Sequence, residues 1–356
     1  MSNKLPRHVH KGRGASLSPA NRYSDTACED IDDGWGSFEE PLQAPATTLG
    51  VDSSRTVITY NDSPDVGFDR SINPYRGCEH GCAYCFARPT HAWLGLSPGL
   101  DFETRLFYKP DAPAQLKREL AARSYRCAPV AIGINTDAYQ PCERKLSLTR
   151  AILEVLVAAR HPFSIVTKSA LIERDIDLVA LAAARRQATV CVSITTLDGV
   201  LARRLEPRAT APARRLDTIR TLTDAGIPVT VLVAPLIPVL TDAELETLLE
   251  QARACGAQAA GYILLRLPHE LKAMFRDWLH THVPLKAEHV MNRLRDCRGG
   301  RDYDARFGAR MRGTGIYADL LRKRFRLAQA RLGFTGIPEL DGTQFSPPAD
   351  GQLRLF

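Results

Sequence analysis

The stretch GCEHGCAYCF, residues 77–86, decides how the rest of this chain is read. Three of the nine cysteines, Cys78, Cys82 and Cys85, fall within it at a C-x3-C-x2-C spacing. Thiolates bind zinc and iron well, but three of them leave a four-ligand site one short. Zinc sites usually join two C-x2-C or C-x2-H pairs across a spacer. His80 and His91 could supply a fourth ligand, yet no second pair follows. The bacterial ferredoxin run C-x2-C-x2-C differs in its first gap, and no nearby Cys-Pro completes it. The other cysteines are scattered in core-like segments, where a free thiol is often a small buried hydrophobe.

Outward from the cysteines, a strand–helix alternation begins after about Thr56. A short strand at about 71–76 precedes the motif. Further apolar, β-branched runs follow at 128–135, 162–167, 189–195, 228–234 and 261–266. Such runs suit parallel strands covered on both faces. Helical patterns lie between them. One opens at Ser147 with Leu148, Ile152, Val155 and Leu156 on one face. Another carries Leu216, Ile219 and Leu222 and stops at Gly226. A third opens with the capping-box pattern Thr241-Asp-Ala-Glu244 and ends near Gly256. Six βα units in a row give an α/β fold with a curved parallel sheet, either an open barrel or a doubly wound sheet. In both, function sits at the carboxyl ends of the strands.

Those ends carry polar groups. Asn135-Thr136-Asp137-Ala138-Tyr139-Gln140-Pro141 follows one strand, and Asp137 either binds an ammonium or turns the chain. Lys168 and Ser169 follow the next. VCVSITT offers Ser193, Thr195 and Thr196, and LEPRATAP offers Glu206 and Arg208, the latter suited to a carboxylate clamp. Arg266 ends the last strand.

Together these motifs resemble the radical S-adenosylmethionine superfamily, in which C-x3-C-x-(aromatic)-C is the defining motif and Tyr84 is the aromatic. GINTDAYQP, VTKS, SITTLD, LEPRA and LVAPLIPVLTD are similar to the subgroup of spore photoproduct lyase and its relatives, the DNA repair photolyase-like proteins, over roughly 60–285. The resemblance implies an open partial (β/α)6 barrel and a radical lyase. It implies that Cys78, Cys82 and Cys85 hold a [4Fe–4S] cluster and that S-adenosyl-L-methionine chelates the fourth iron. Reductive cleavage of that cofactor then yields a 5′-deoxyadenosyl radical. It further implies a cofactor pocket of Tyr84, Thr136, Asp137, Lys168, Ser193 and Arg208. Two positions depart from the subgroup. Gly133-Ile134-Asn135 stands where a cysteine hydrogen donor is found, and Phe86 stands where a tyrosine follows the third cluster cysteine. Cys142 and Tyr139 are the remaining candidate relays of the radical.

The net charge of +7 is concentrated. Arg293 to Arg331 carries eleven Arg and one Lys against four Asp, a local balance of +8. This suggests a polyanionic partner, or an arginine-rich solvated helix. Tyr303 and Phe307 could stack on bases or form a small satellite core. Gln352–Phe356, QLRLF, resembles the peptide by which bacterial repair proteins dock on the DNA polymerase sliding clamp; alternatively it folds back on its own domain. DNA is therefore the expected substrate. The rivals are a radical modification of RNA or protein, and a nucleic-acid-binding protein with a structural cluster.

The expected organisation is a poorly ordered extension at 1–56, including the acidic patch Glu29 to Glu40, a barrel at 57–290, a basic extension at 291–335 and a flexible tail at 336–356. No run of eighteen apolar residues occurs, so no membrane span is expected. The N-terminus lacks the apolar core of a signal peptide, and the odd cysteine count argues against a disulfide framework. A cytoplasmic monomer is expected.

Overall fold

The computed structural model describes residues 10–23 and 46–348. Ten strands are formed: β1 (Thr48–Val51), β2 (Ile58–Tyr60), β3 (Arg70–Ile72), β4 (Tyr75–Arg76), β5 (Arg105–Tyr108), β6 (Val130–Ile132), β7 (Phe163–Thr167), β8 (Ala188–Ser193), β9 (Val229–Leu236) and β10 (Ala259–Leu264). Seven of them make one sheet in the order β10-β9-β8-β7-β6-β3-β2. All its pairings are parallel except β2 against β3. Its two edges, β10 and β2, do not pair with each other, so the barrel is open, as the sequence led us to expect. A small sheet, β1-β5-β4, flanks the cysteine loop.

Burial alternates along β7 and β9. On β7, Phe163, Ile165 and Thr167 are buried while Ser164 and Val166 are half-buried. On β9, Val229, Val231 and Val233 are buried while Thr230, Leu232 and Ala234 are not fully so. The buried set packs on the helices Leu148–Ala158, Ile176–Ala183, Pro212–Asp224 and Leu245–Ala254, through side chains such as Ile152, Val179, Ile219 and Leu248. The half-buried set faces the barrel interior. Register aligns Val166, Cys191 and Thr230 across three strands of that inner face, and Ser193, Leu232 and Gly261 one step higher.

Two local expectations change. The strand expected to run to Asn135 ends at Ile132, because Gly133 turns with φ +79° and a Cβ there would lie 2.7 Å from Val166 O. The capping box at Thr241–Glu244 does not form: Thr241 Oγ1 accepts from Ile237 N at 2.9 Å. The Glu244 carboxylate accepts instead from Thr196 Oγ1 and Leu197 N, tying the helix start to the end of β8.

Within the stretch expected to be poorly ordered, the described residues make specific bonds. Gly14 N and Ala15 N donate to Glu103 at 3.0 and 2.8 Å, and Ser16 Oγ donates to Asp277 at 2.7 Å. Gly14 passes so close to the cysteine loop that a Cβ would lie 1.7 Å from Gly81 O. The acidic patch Glu29 to Glu40 and the QLRLF peptide lie outside the described residues.

At the amino end of the barrel, His161 is buried beneath Phe345 and accepts from Tyr125 OH through Nε2 at 2.7 Å, which leaves Nδ1 to donate to Pro162 O at 2.9 Å. Burial lowers its pKa to about 4. The unfolded chain therefore binds a proton that the folded chain refuses. Stability is full above about pH 6.5 and is lost as pH falls toward about 4, by up to about 3 kcal/mol. Denaturant unfolding at pH 7 and pH 4.5 should show a smaller acid loss in His161→Phe than in wild type; equal losses would exclude His161 as a cause.

Candidate active site

The cysteine loop leaves β4 and is held at every turn. Cys78 N donates to Phe102 O at 2.9 Å, and Ala83 N to Leu205 O at 2.8 Å. Glu79 N donates to Gln140 Oε1 at 2.8 Å, and Gln140 Nε2 to Gly77 O at 3.1 Å. Arg88 is fully buried and donates to the carbonyls of Gly81 and Cys82, then pairs with Glu103 at 2.5 Å. This pair, with Gly14 and Ala15 on the other side of the carboxylate, fixes the loop by charge-assisted bonds. Neither Arg88 nor Glu103 was singled out from the sequence.

Burial, with Asp137 and the neighbouring Cys82 and Cys85, pushes the Cys78 thiol well above its ordinary range. Burial also raises Cys82, and raises Cys85 against the charge of Arg88. Among the described residues no three His, Cys, Asp or Glu side chains converge as they would around a single ion. Three thiols from one loop suit an iron–sulfur cluster, whose ligand sulfurs attach to separate irons. His80 faces Asp137, and His91 is engaged through Nε2 while its Nδ1 is buried without a partner among the described residues. His80 Nδ1 is 3.4 Å from Asp137 Oδ2. His91 Nε2 bonds Arg105 O at 2.9 Å while its ring packs on Phe102.

Around this loop lie the strand-end residues. Asp137 accepts from Tyr139 N, Thr167 Oγ1 and Lys168 N at 2.7–2.9 Å, so it turns the chain and ties β6 to β7. Thr136 Oγ1 donates to Tyr75 O at 2.8 Å. Lys168 reaches across the interior to Ser193 Oγ at 2.5 Å and Ala234 O at 3.0 Å. Arg208 pairs with Glu79 at 3.0 Å and stays half-exposed. Tyr84 is buried, and its hydroxyl bonds Thr195 at 2.9 Å and Glu206. Glu206 also pairs with the buried Arg215 and lies 3.7 Å from Lys168. Burial alone would raise the Glu206 pKa; the charges of Arg215 and Lys168 outweigh it and lower it to about 2. Arg215 was missed because its partner lies nine residues away across a turn.

Tyr139 does not share that rim. It is fully buried in the core between sheet and helices, and burial with the charge of Asp175 raises its hydroxyl well above its usual pKa. A relay must face the barrel interior, and Tyr139 does not. Cys142 is buried in the same core, and its thiol is pushed up to about 12 by burial and by Glu79. Cys191 is the thiol on the inner face. It shares parity with Ser193, and burial raises its pKa to about 12 against the charge of Lys168. The alternation in TVCVSIT could have revealed it.

Several arginines of the basic extension are held in ion pairs. Arg295 pairs with Asp302 at 2.8 Å, Arg306 with Asp304 at 2.7 Å, Arg310 with Asp65 at 2.5 Å and Arg324 with Glu246 at 2.5 Å. Arg298 is buried and donates to Ala309 O and Leu265 O at 2.8 Å. Phe307 is exposed under Arg310.

An open parallel barrel whose carboxyl rim holds a buried three-cysteine loop is the architecture of enzymes that generate radicals from S-adenosylmethionine. The Radical SAM superfamily model matches residues 72–252, a little over half of the chain, and the chain belongs to that superfamily. Membership implies an iron–sulfur cluster and S-adenosylmethionine. An uncharacterized protein of Mycobacterium tuberculosis is 41% identical over 214 residues, covering 60% of this chain and 63% of the relative. An uncharacterized protein of Methanocaldococcus jannaschii is 31% identical over 173 residues, 49% of this chain and 62% of the relative. The matches thus span less than two thirds of these curated relatives. Among solved structures, a cysteine-to-serine mutant of spore photoproduct lyase aligns with a TM-score of 0.56 at 17% identity, covering 82% of this chain and 85% of that one. Spore photoproduct lyase complexed with dinucleoside spore photoproduct aligns with a TM-score of 0.53 at 17% identity, covering 80% and 78%. These likenesses establish the shared fold. Among the described residues no helix is long and apolar enough to cross a membrane.

Proposed function

We propose that this enzyme acts on DNA, at a damaged base, through a [4Fe–4S] cluster on Cys78, Cys82 and Cys85. The observation that carries the cluster assignment is the pinned loop, which brings the buried Cys78 and Cys82 and the half-buried Cys85 together beside Lys168 and Tyr84. With the cluster and S-adenosylmethionine bound, the chemistry supplied is a 5′-deoxyadenosyl radical. The chain's own residues hold and shield the site. Arg208 and Glu79 sit at the mouth of the loop, where a carboxylate and an ammonium of the cofactor find opposite charges. Asp137 and Thr136 fix the rim by tying β6 to its neighbours, so their part in the pocket is positioning. Lys168 and Ser193 present donors to the interior. Cys191, on the inner face, is better placed than Cys142 or Tyr139 to meet a substrate radical.

The DNA substrate is supported by the shared fold with a lyase solved with a dinucleoside lesion. The paired arginines of 291–335 favour the rival reading, a different substrate class, because guanidinium groups held by Asp302, Asp65 and Glu246 are less free to grip a duplex. In the proposed reading 57–290 is the catalytic barrel and 291–335 a basic extension of it. The test is anaerobic reconstitution with iron and sulfide, reduction, and measurement of 5′-deoxyadenosine with S-adenosylmethionine, with and without ultraviolet-irradiated DNA. Stimulation by irradiated DNA over undamaged DNA and tRNA is expected. Product that is insensitive to DNA would sink the substrate assignment.

The tail 336–356 is proposed to present Gln352–Phe356 to the sliding clamp. Deleting 352–356 should abolish clamp binding in calorimetry and leave cofactor cleavage intact. Unchanged clamp affinity would end that proposal.

A further inference from the structure

The bridge over the open side of the barrel is a single loop. Met311 O accepts from Leu264 N of β10 at 2.8 Å, while Gly308 N and Arg310 Nε donate to Asp65 in the β2–β3 hairpin at 2.6 and 2.5 Å. Beneath it lies Arg266, just past the end of β10. Its guanidinium carbon sits 4.7 Å from the centroid of Phe86, the residue after Cys85. Nη1 meets only the thioether of Met311, at 3.6 Å, and Nε is buried without an acceptor among the described residues. This sets Arg266 apart from Arg295, Arg306, Arg310 and Arg324, each paired with a carboxylate. Asp65 is close enough to feel Arg266, but its oxygens are taken by Gly308 and Arg310.

A buried donor without an acceptor is costly, and a protein keeps one where a ligand satisfies it. Stacking on Phe86 fixes the plane of the guanidinium and leaves its edge available, the arrangement that takes an oxyanion by two parallel bonds. Phe86 is 36% exposed and offers an aromatic shelf beside the cation. A cation next to such a shelf matches a nucleotide, with phosphate on one and base on the other, better than a simple carboxylate. We propose that Arg266, stacked on Phe86 beneath the bridge, seats a backbone phosphate of the substrate strand next to the reacting nucleotide. The proposal rests on the DNA reading above.

The test uses reconstituted full-length enzyme and a short fluorescein-labelled, ultraviolet-irradiated single-stranded oligonucleotide, with anisotropy read over a salt series. Arg266→Gln should raise Kd about tenfold and lower the slope of log K against log salt by about one. Arg266→Lys should restore the slope and only part of the affinity. Phe86→Leu should weaken binding about threefold with the slope unchanged, and this variant with Arg266→Lys carries the test if Arg266→Gln does not fold. Unchanged Kd and slope in a folded Arg266→Gln overturn the seat and leave the DNA reading standing. A wild-type enzyme that binds no oligonucleotide overturns both. Loss of S-adenosylmethionine affinity in equilibrium dialysis, with oligonucleotide binding intact, assigns Arg266 to the cofactor and also overturns the seat.

Discussion

Cys82→Ala is expected to abolish 5′-deoxyadenosine formation and to leave reconstituted protein without a stable cluster. Three ligands from one loop leave no redundancy, and the loop cannot shift to recruit another. Arg88 holds the Cys82 carbonyl at 2.9 Å, and Ala83 N is bonded to Leu205 O. Cys142 and Cys191 are fixed elsewhere, one in the sheet–helix core and one on β8. His80 faces Asp137, and His91 is tethered through Nε2 to Arg105 O. The fold should survive, because the substitution removes one sulfur and leaves the Arg88–Glu103 pair intact; a melting curve close to wild type is expected. Iron content, the visible cluster spectrum and product are the readouts. Full product from Cys82→Ala would refute the assignment of that residue as a ligand. A collapsed melting curve would mean that the loop depends on the thiol for packing.

The parallel strands of the main sheet were legible as short apolar runs, while β1, β2 and β5 were not anticipated, and the motif was legible because its spacing is rare. Their arrangement followed from the βα rhythm. What stayed hidden depends on partners distant in the chain. Glu103 is held by Gly14 and Ala15 through backbone amides, which leave no side-chain signature, and glycine is required there only because Gly81 lies against it. The eleven arginines of 293–331 read as a free basic surface, since Arg310 finds Asp65 and Arg324 finds Glu246 only in the fold. The Asp137 carboxylate read either as a ligand of the cofactor or as a turn residue, and it accepts from Tyr139 N in its own loop and from Thr167 and Lys168 at the end of β7. Thr241-Asp-Ala-Glu244 matched a local capping pattern, but the end of β8 competed for Glu244 and won.

Glu206→Leu is expected to lower stability by about 3–5 kcal/mol, the cost of leaving a buried guanidinium without its partner. Arg215 is 1% exposed, and its other bonds go to the carbonyls of Thr210 and Ser193 at 2.6 and 2.9 Å, which carry no full charge to offset its own. The same substitution leaves the Tyr84 hydroxyl with Thr195 alone and Lys168 with neutral acceptors only. Destabilisation should therefore reach the cysteine loop through Tyr84. The carboxylate's depressed pKa gives the sign of the acid response. The stabilisation is present above about pH 4.5 and is lost as pH falls toward about 2, so wild type and Glu206→Leu should converge in strong acid. A double-mutant cycle separates the pair from the site. Glu206→Leu/Arg215→Met removes both charges and should be more stable than Glu206→Leu alone, because no uncompensated charge remains buried. Additive losses in that cycle would show that the two residues do not act as a pair, and the stability of the rim would then rest on Tyr84 and Lys168 instead.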